Sequence, residues 1–311
     1  MLRAGLCETA AQQAEAMRVA LTSRCPSDAW QIALSLRLES AAMTIVSVGA
    51  NKGYGVLSLL INFAASNVTP TAWQRELQRL APECGRCCGI CNDCFSAGRR
   101  HDVKRVAAQV HAFEVMPANV AMLRAAAAYF QLPIAVHEVA VSNASGSLAL
   151  PDWALRRLSR PGYENAMLDF APHRGARRRR PVPATTIDAF VAEHALQVIH
   201  VLEADANGMD ALVLEGAAKT LAARRVEILT FEYHSTGFWA ACAECRSLRD
   251  VLARLLGFGY GCFWQGKGGV LARASGRSCW QDAFEFRQWS NLICTYRPDL
   301  LALLDQMPMK G

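Results

Sequence analysis

A run of apolar residues followed by three closely spaced glycines constrains the fold of this chain most. Residues Ile45 to Val48 have the composition of a buried strand, and Gly49, Gly53 and Gly55 follow them. Because glycine lacks a Cβ, the backbone can take a positive φ, and the next helix can begin with its free amides facing a ligand. The segment predicts a strand, a turn that approaches a ligand, and a helix. Alone, the pattern also fits an ordinary strand-to-helix turn.

Later segments repeat the arrangement of an apolar strand that ends in polar residues. They are 110–114, 134–141, 198–205 and 226–234. Helical patterns alternate with these strands, which predicts an α/β fold with a doubly wound, mainly parallel sheet. Short strand patterns near the end of the sequence predict an antiparallel edge. They are 261–264, 269–272 and 291–296. In such a sheet the ligand lies over the carboxyl ends of the strands.

Changes in composition divide the chain into a cover, a main domain and two interruptions. Helical patterns over residues 10–38 predict a helical cover in residues 1–42, and residues 43–311 form the main domain. Residues 67–105 are polar and rich in cysteine, which predicts an insertion. Residues 151–183 show no clear helical or strand periodicity, which predicts an irregular lid.

Charge and hydropathy argue against several classes of protein. The formal net charge of +6 is a mild excess, and the basic run Arg177 to Arg180 has no interleaved aromatic residues, so nucleic-acid binding is not predicted. The apolar stretch Val56 to Ala65 is far shorter than the roughly 20 residues that cross a bilayer, so no membrane span is predicted. Residues 1–25 lack a secretory pattern. A cytoplasmic protein is the expectation, with organelle import as the alternative.

Five of the twelve cysteines crowd one segment, in the pattern Cys84-x2-Cys87-Cys88-x2-Cys91-x2-Cys94. Reduced thiols are expected in a long chain without a secretory pattern. Thiolates at this spacing can converge on zinc at about 2.3 Å, so a structural zinc clip is the preferred hypothesis. An iron–sulfur run would need an x3-Cys-Pro continuation that is absent. Metal-free thiols remain the alternative.

A carboxylate at Glu114 completes a set of motifs that resembles a known family. Glu114 follows the second strand, where doubly wound folds place an acid that accepts ribose hydroxyls. From about Met43 to Tyr296, outside the cysteine-rich insertion and part of the lid, the chain resembles the FkbM-type S-adenosylmethionine-dependent methyltransferases. The matching motifs are Val48-Gly49-Ala50-Asn51-Lys52-Gly53-Tyr54, Phe113-Glu114 with Pro117 and Asn119, Ala140-Val141-Ser142, Thr185-Thr186-Ile187-Asp188, Asp205 with Gly208, Leu214 and Gly216-Ala217, and Phe231-Glu232-Tyr233-His234.

The resemblance implies a fold, a cofactor and a kind of acceptor. The fold is the Rossmann-like, seven-strand class I methyltransferase sheet, and the cofactor is S-adenosylmethionine. Family members typically methylate hydroxyl oxygens, so the expected acceptor is a small molecule or a carbohydrate. The cofactor-binding residues that follow are Gly49, Ala50, Asn51, Gly53, Tyr54, Glu114, Ser142 and Asp205.

Asp205, Glu232 and His234 are the predicted catalytic residues, because they follow two neighbouring strands. Methyl transfer to a hydroxyl needs a group that takes its proton. His234 titrates near neutral pH, whereas Asp205 would need desolvation to act as a base, and both stay open for this role.

Three positions depart from the family pattern. Ser47 stands where the family usually has an acid, and Glu203 and Asn207 stand where it has Lys and Glu. Loss of the acid would weaken cofactor binding by about 1 to 2 kcal/mol. The alternative function is therefore a catalytically impaired binding or scaffold protein, in which a zinc-clipped cysteine loop docks a partner.

Overall fold

A mixed eight-stranded sheet forms the centre of the protein. The structure is a computed structural model. It describes residues 9–26, 29–35, 37–38, 40, 42–91, 93–95, 106–151, 179–237, 239, 247–276 and 279–307. Most of the predicted lid and residues 96–105 of the predicted insertion lie outside the described residues. The division at residue 42 into a cover and a main domain stays a prediction.

Helices and strands alternate along the chain, as the sequence pattern predicts. The strands are β1 (Ala42–Val48), β2 (Ala107–Phe113), β3 (Ile134–His137), β4 (Ala140–Val141), β5 (Gly146–Pro151), β6 (Arg179–Thr185), β7 (Ile199–Ala204), β8 (Val226–Tyr233), β9 (Gly261–Gln265), β10 (Leu271–Arg273) and β11 (Ser290–Thr295). The α-helices in the described part of the chain are α1 (Ala10–Leu21), α2 (Ala29–Ser35), α3 (Tyr54–Ala64), α4 (Pro70–Leu80), α5 (Pro117–Tyr129), α6 (Ile187–Glu193), α7 (Asp210–Gly216), α8 (Ala218–Ala222), α9 (Leu248–Gly257) and α10 (Pro298–Gln306).

Side-chain caps fix where several helices begin. The Thr69 hydroxyl accepts a hydrogen bond from the Ala72 amide at 3.1 Å, and Pro70 occupies the first turn of α4. Thr186 caps α6 and Ser247 caps α9 in the same manner. These caps satisfy amides that have no partner within the helix.

The main sheet has the strand order β10-β9-β11-β8-β7-β1-β2-β3. Strands β3, β2, β1, β7 and β8 are parallel, whereas β11 and β10 run antiparallel to their neighbours. This confirms the mainly parallel α/β sheet with an antiparallel edge. The sheet has eight strands rather than seven, because β10 pairs with β9 at one edge.

A separate three-stranded sheet has the order β4-β6-β5. The sequence predicts one strand over residues 134–141, but only β3 joins the main sheet, and β4 pairs with β6.

Helices cover both faces of the main sheet, and successive residues of its strands face opposite layers. Ile45 and Val201 pack into one apolar cluster, with side chains from α2, α3, α5 and α10. Val46 and Leu202 pack into the other, with side chains from α1, α6, α7 and α9. Apolar side chains on both faces explain why these strands have continuous rather than alternating hydrophobic patterns. Within the described residues, no helix combines the length and the apolar character that a bilayer crossing requires.

The cysteines of the described residues are joined in disulfides, and none is free. The resolved pairs are Cys25–Cys91, Cys84–Cys87, Cys88–Cys94 and Cys262–Cys294. Reduced thiols are therefore a wrong prediction. Disulfides persist mainly in oxidising compartments, so the pairing counts against the predicted cytoplasmic location.

The predicted zinc clip is also wrong. All five of its candidate ligands are in disulfides. They are Cys84, Cys87, Cys88, Cys91 and Cys94. A sulfur in a disulfide is not the thiolate that zinc binds. No group of three or more His, Cys, Asp or Glu residues that could hold a metal occurs in the described ranges.

Candidate functional site

A cleft of about 700 Å³, counting its open mouth, lies at the carboxyl ends of β1, β2 and β7. The glycine turn contributes Gly49 and Asn51, the end of β2 contributes Glu114, and the segment after β7 contributes Asp205 and Asn207. Apolar residues complete the lining, among them Phe113, Met116, Val141, Leu148 and Met209. The cleft lies where the topology predicts a ligand.

The glycine turn depends on conformations that favour glycine. Gly49 has φ +79° and Gly53 has φ +85°. A Cβ at Gly49 would lie 1.8 Å from the carbonyl oxygen of Asp205, so the turn packs directly against the segment after β7. The amides of Gly49 and Ala50 both donate to the Phe113 carbonyl at 2.9 Å. The turn is thereby attached to the end of β2 as well.

Glu114 lies against the glycine turn. Its Oε2 accepts the Asn51 amide hydrogen at 2.7 Å, and its Oε1 accepts the Met116 amide hydrogen at 2.8 Å. Burial raises the pKa of Glu114, while hydrogen bonds from the amides of Met116, Asn51 and Val115 oppose this rise. A carboxylate has about four acceptor positions, so three amides leave capacity for a ligand hydroxyl.

Asp205 forms a cluster with two other carboxyl groups. Asp205 is classed as exposed and lines the cleft. Protein atoms nevertheless surround its carboxyl group densely enough to desolvate it. This desolvation, together with the nearby Asp210 charge, raises the pKa of Asp205 to about 7. A carboxyl group with this pKa can take up a proton near neutral pH.

Asp210 is fully buried and holds the segment after β7 in place. Its carboxyl oxygens accept the amide hydrogens of Ala206 at 3.2 Å, Gly208 at 3.0 Å and Glu232 at 3.4 Å. Desolvation raises the pKa of Asp210 to about 6, against the effect of these amides. Asp210 is not among the predicted site residues, although an acid in the first turn of a helix is a recognisable capping signal.

Glu232 is buried at the end of β8, next to the Asp205 carboxyl group. Burial, and then the charges of Asp205 and Asp210, raise the pKa of Glu232 well above its usual value. Its Oε1 accepts a hydrogen bond from the indole N–H of Trp289. Trp289 precedes β11, far along the chain, and no local pattern in the sequence indicates this contact.

His234 does not line the cleft. Its Nδ1 lies 2.8 Å from the Thr236 hydroxyl, and its ring stacks on Trp289 with a centroid separation of 5.8 Å. Burial, and then the charge of Arg24, lower the pKa of His234. Of the two candidate bases, only Asp205 faces the cleft.

Four of the predicted cofactor-binding residues do not line the cleft. They are Ala50, Gly53, Tyr54 and Ser142. The Tyr54 hydroxyl donates to the Cys87 carbonyl at 2.7 Å, and the Ser142 amide donates to the Thr185 carbonyl at 2.9 Å.

Two of the departures from the family pattern face each other. Ser47 on β1 pairs in register with Glu203 on β7, and the Ser47 hydroxyl donates to Glu203 Oε2 at 2.6 Å. A Cβ at Gly55 would lie 3.0 Å from Glu203 Oε1, so a larger residue there would press on this carboxylate. The chain thus keeps an acid beside the first turn of α3, on the neighbouring strand. The third departure, Asn207, lines the cleft with φ +49°.

The disulfide-linked segment 84–94 packs beside the glycine turn. Tyr54 and Lys52 donate side-chain hydrogen bonds to the carbonyls of Cys87 and Cys88, at 2.7 and 3.4 Å. The Asp93 charge contributes to the raised pKa of Asp205. The segment therefore contacts the glycine turn directly, and one of its charges acts on the Asp205 carboxyl group.

Three histidine rings lie close together, and one of them, His137, stacks on Phe113. His111 Nδ1 lies 3.2 Å from His137 Nε2, and the His194 ring lies 5.7 Å from that of His111. No described residue hydrogen-bonds to His111 Nε2. Burial, and then the charges of His137 and His194, lower the pKa of His111 to about 4. Arg124 and Glu193 act on His137 from the neighbouring helices.

The histidine cluster predicts loss of stability in acid. His111 stays neutral in the folded protein but takes up a proton in the unfolded chain below about pH 6.5. We expect the free energy of unfolding to fall by about 3 kcal/mol between pH 6.5 and pH 4. Denaturant titrations across this range test it, with His111→Phe expected to flatten the dependence. An equally steep acid dependence in His111→Phe would contradict the assignment to His111.

The parallel sheet, the glycine turn and the acid after β2 are features of doubly wound α/β proteins, in which ligands bind at this edge of the sheet. A family model described as the methyltransferase FkbM domain matches residues 47–261, more than half of the chain. This protein belongs to the FkbM methyltransferase family, which confirms the resemblance. Among curated proteins, no sequence matches the chain.

Proposed function

We propose that this protein transfers the methyl group of S-adenosylmethionine to a hydroxyl oxygen of a small-molecule or carbohydrate acceptor. One observation carries the proposal: the glycine turn, Glu114 and Asp205 meet in a single cleft at the carboxyl ends of the parallel strands. Family membership supports methyl transfer in general.

The cleft residues fit S-adenosylmethionine chemically. Glu114 offers acceptor capacity for ribose hydroxyls, and the glycine turn lets the backbone approach closely. Apolar side chains such as Val141 and Leu148 suit a nucleobase, and the acidic cluster suits a sulfonium cation. When bound, the cofactor supplies an electrophilic methyl carbon on positively charged sulfur.

Asp205 is the proposed proton acceptor. The cofactor would supply the methyl group and would leave as the neutral sulfide. The acceptor hydroxyl must lose its proton, which Asp205 takes and later releases to water through the mouth of the cleft. A pKa of about 7 matches this role at neutral pH.

Calorimetric titration with S-adenosylmethionine and with its demethylated product tests the proposal. Saturable binding of both is expected. Absence of binding at millimolar ligand would overturn it. Binding without transfer to any acceptor would favour the alternative of an impaired binding protein.

Replacement of Glu114 by Ala is expected to weaken cofactor binding by about 1 to 3 kcal/mol, since it removes the ribose acceptor and the partner of the Asn51 amide. The dissociation constant from calorimetry measures this change. Glu138→Ala is a matched control, because Glu138 is an exposed acid outside the cleft. Equal affinity of the Glu114 variant and the wild type would remove Glu114 from the site.

A further inference from the structure

Arg24 places its guanidinium over an indole ring near the candidate site. The guanidinium carbon lies 4.9 Å from the centre of the Trp289 ring. Trp289 donates its indole N–H to Glu232 Oε1, and Glu232 lies next to the Asp205 carboxyl group. Because β11 begins one residue after Trp289 and runs antiparallel to β8, this ring lies at the carboxyl end of β8. The cation is therefore at the same edge of the sheet as the cleft.

A disulfide connects the residue after Arg24 to the segment beside the glycine turn. Cys25 is bonded to Cys91, and the segment 84–94 accepts hydrogen bonds from side chains of the turn. A negative charge of this segment acts on the Asp205 carboxyl group. Arg24 thus adjoins two parts of the protein that both border Asp205, namely the indole and the disulfide-linked segment.

The backbone before Arg24 is held as well. Ser23 is fully buried, and its hydroxyl donates to the Asn291 carbonyl at 2.9 Å and accepts the Asn291 amide hydrogen at 2.8 Å. The Asn291 side chain donates to the Ser23 carbonyl at 2.8 Å and to the Arg24 carbonyl at 3.4 Å. With Cys25 in its disulfide, the main chain is fixed on both sides of an exposed cation. A cation held in this way loses less conformational entropy when it binds a ligand.

The contact with the indole leaves the hydrogen-bond donors of Arg24 available. Attraction to the face of an aromatic ring needs no hydrogen-bond acceptor, so the N–H groups of the guanidinium are not used by it. Among the described residues, no carboxylate forms an ion pair with Arg24, whereas Arg18 in α1 is paired with Glu15. A guanidinium fork fits carboxylate and phosphate groups best.

We propose that Arg24 binds an anionic group of the methyl acceptor, so that the substrate is a hydroxyl compound that carries a carboxylate or a phosphate. This inference rests on the proposed function, which places the acceptor hydroxyl at Asp205. The carboxyl groups around Asp205 repel a second negative charge, so the anionic group lies away from the reacting hydroxyl, on the indole side of the site. Sugar acids and sugar phosphates have this arrangement, with a ring between the charge and the hydroxyls.

Binding of matched sugars tests the anion site in the absence of turnover. The indole ¹⁵N–H signal of Trp289 is the reporter, and Trp289→Phe identifies it. Methyl glucuronide and glucose 6-phosphate are expected to shift this signal at concentrations about ten-fold lower than methyl glucoside, with or without the demethylated cofactor. Arg24→Gln is expected to remove this preference, and Arg18→Gln, which removes the paired arginine of α1, is expected to keep it. Absence of a preference in the wild type, or the same preference in Arg24→Gln, would overturn the proposal.

Two further comparisons separate recognition of an acceptor from simple attraction of anions. Inorganic phosphate is expected to bind about ten-fold more weakly than glucose 6-phosphate, and equal binding would overturn the proposal. Arg24→Lys keeps the charge and is expected to recover most of the affinity that Arg24→Gln loses. A preference for either the glucuronide or the 6-phosphate supports the proposal and identifies the anionic group.

Methyl transfer distinguishes failure of this inference from failure of the proposed function. The ratio of kcat/KM for the charged sugar to kcat/KM for the neutral sugar is expected to fall about ten-fold in Arg24→Gln, mainly through KM. Equal losses for both sugars would show a merely structural role. If the wild type methylates neutral sugars as efficiently as charged ones, the inference fails while the proposed function stands. If charged sugars bind through Arg24 but S-adenosylmethionine does not bind, the proposed function fails while the anion site stands.

Discussion

Replacement of Asp205 by Asn is expected to lower the rate of methyl transfer by about 10² to 10⁴-fold, the usual contribution of a general base. Asparagine keeps the shape of the side chain but cannot take the acceptor's proton. Glu232 cannot take over, since it is buried and does not line the cleft. Transfer can be measured with S-adenosylmethionine that carries a tritiated methyl group, using a panel of sugars and small hydroxyl compounds as acceptors.

The affinity for S-adenosylmethionine should change far less than the rate in this variant. Glu114 and the glycine turn provide most of the proposed cofactor contacts, and both remain. Glu232→Gln provides the matched comparison, because it changes the adjacent carboxyl group to an amide at similar cost to packing. An Asp205→Asn enzyme that keeps its rate within three-fold of wild type would exclude Asp205 as the base.

The features that the sequence predicts correctly are local or follow from strand order. The strand, turn and helix around Gly49 depend on glycine chemistry and on apolar runs, which are visible in adjacent residues. Glu114 lies more than fifty residues after the turn, yet parallel strands bring their carboxyl ends to one edge of the sheet. That rule explains why the predicted approach of Glu114 to the turn agrees with the 2.7 Å contact to Asn51.

The features that the sequence does not predict depend on register and on distant contacts. Ser47 and Glu203 look like separate departures until β1 and β7 are aligned, and the register then pairs them. Trp289 reaches Glu232 because β11 is inserted antiparallel beside β8, where Ser290 pairs with Tyr233. Neither arrangement leaves a periodic signal in the sequence.

The prediction for the cysteines is wrong for a related reason. The spacing of Cys84 to Cys94 fits zinc ligands and disulfides equally well, and the decisive partner of Cys91 is Cys25, at a sequence separation of 66. Connectivity of several cysteines cannot be deduced from sequence alone. The lack of a secretory pattern in residues 1–25 led both to the expectation of reduced thiols and to the cytoplasmic prediction.

The Cys25–Cys91 disulfide is expected to contribute about 4 kcal/mol to the free energy of unfolding. It closes a long loop, and cross-linking removes more entropy from the unfolded chain as the loop lengthens. A variant with both Cys25 and Cys91 replaced by Ala should lose this stabilisation in denaturant titrations under oxidising conditions. The bond also ties the segment after α1, which carries Arg24, to the segment beside the glycine turn, so cofactor affinity should fall with stability.

Replacement of Cys84 and Cys87 by Ala is the matched control, because that disulfide spans a sequence separation of only 3 in the same segment. The loop-entropy relation gives it a smaller contribution, about 1.5 kcal/mol. If reduction with a thiol reagent destabilises the wild type as much as the Cys25/Cys91 variant is destabilised by mutation, this long-range bond carries most of the effect. Equal losses in the two double variants would instead show that local packing of the segment, rather than closure of the long loop, determines how much each disulfide stabilises the fold.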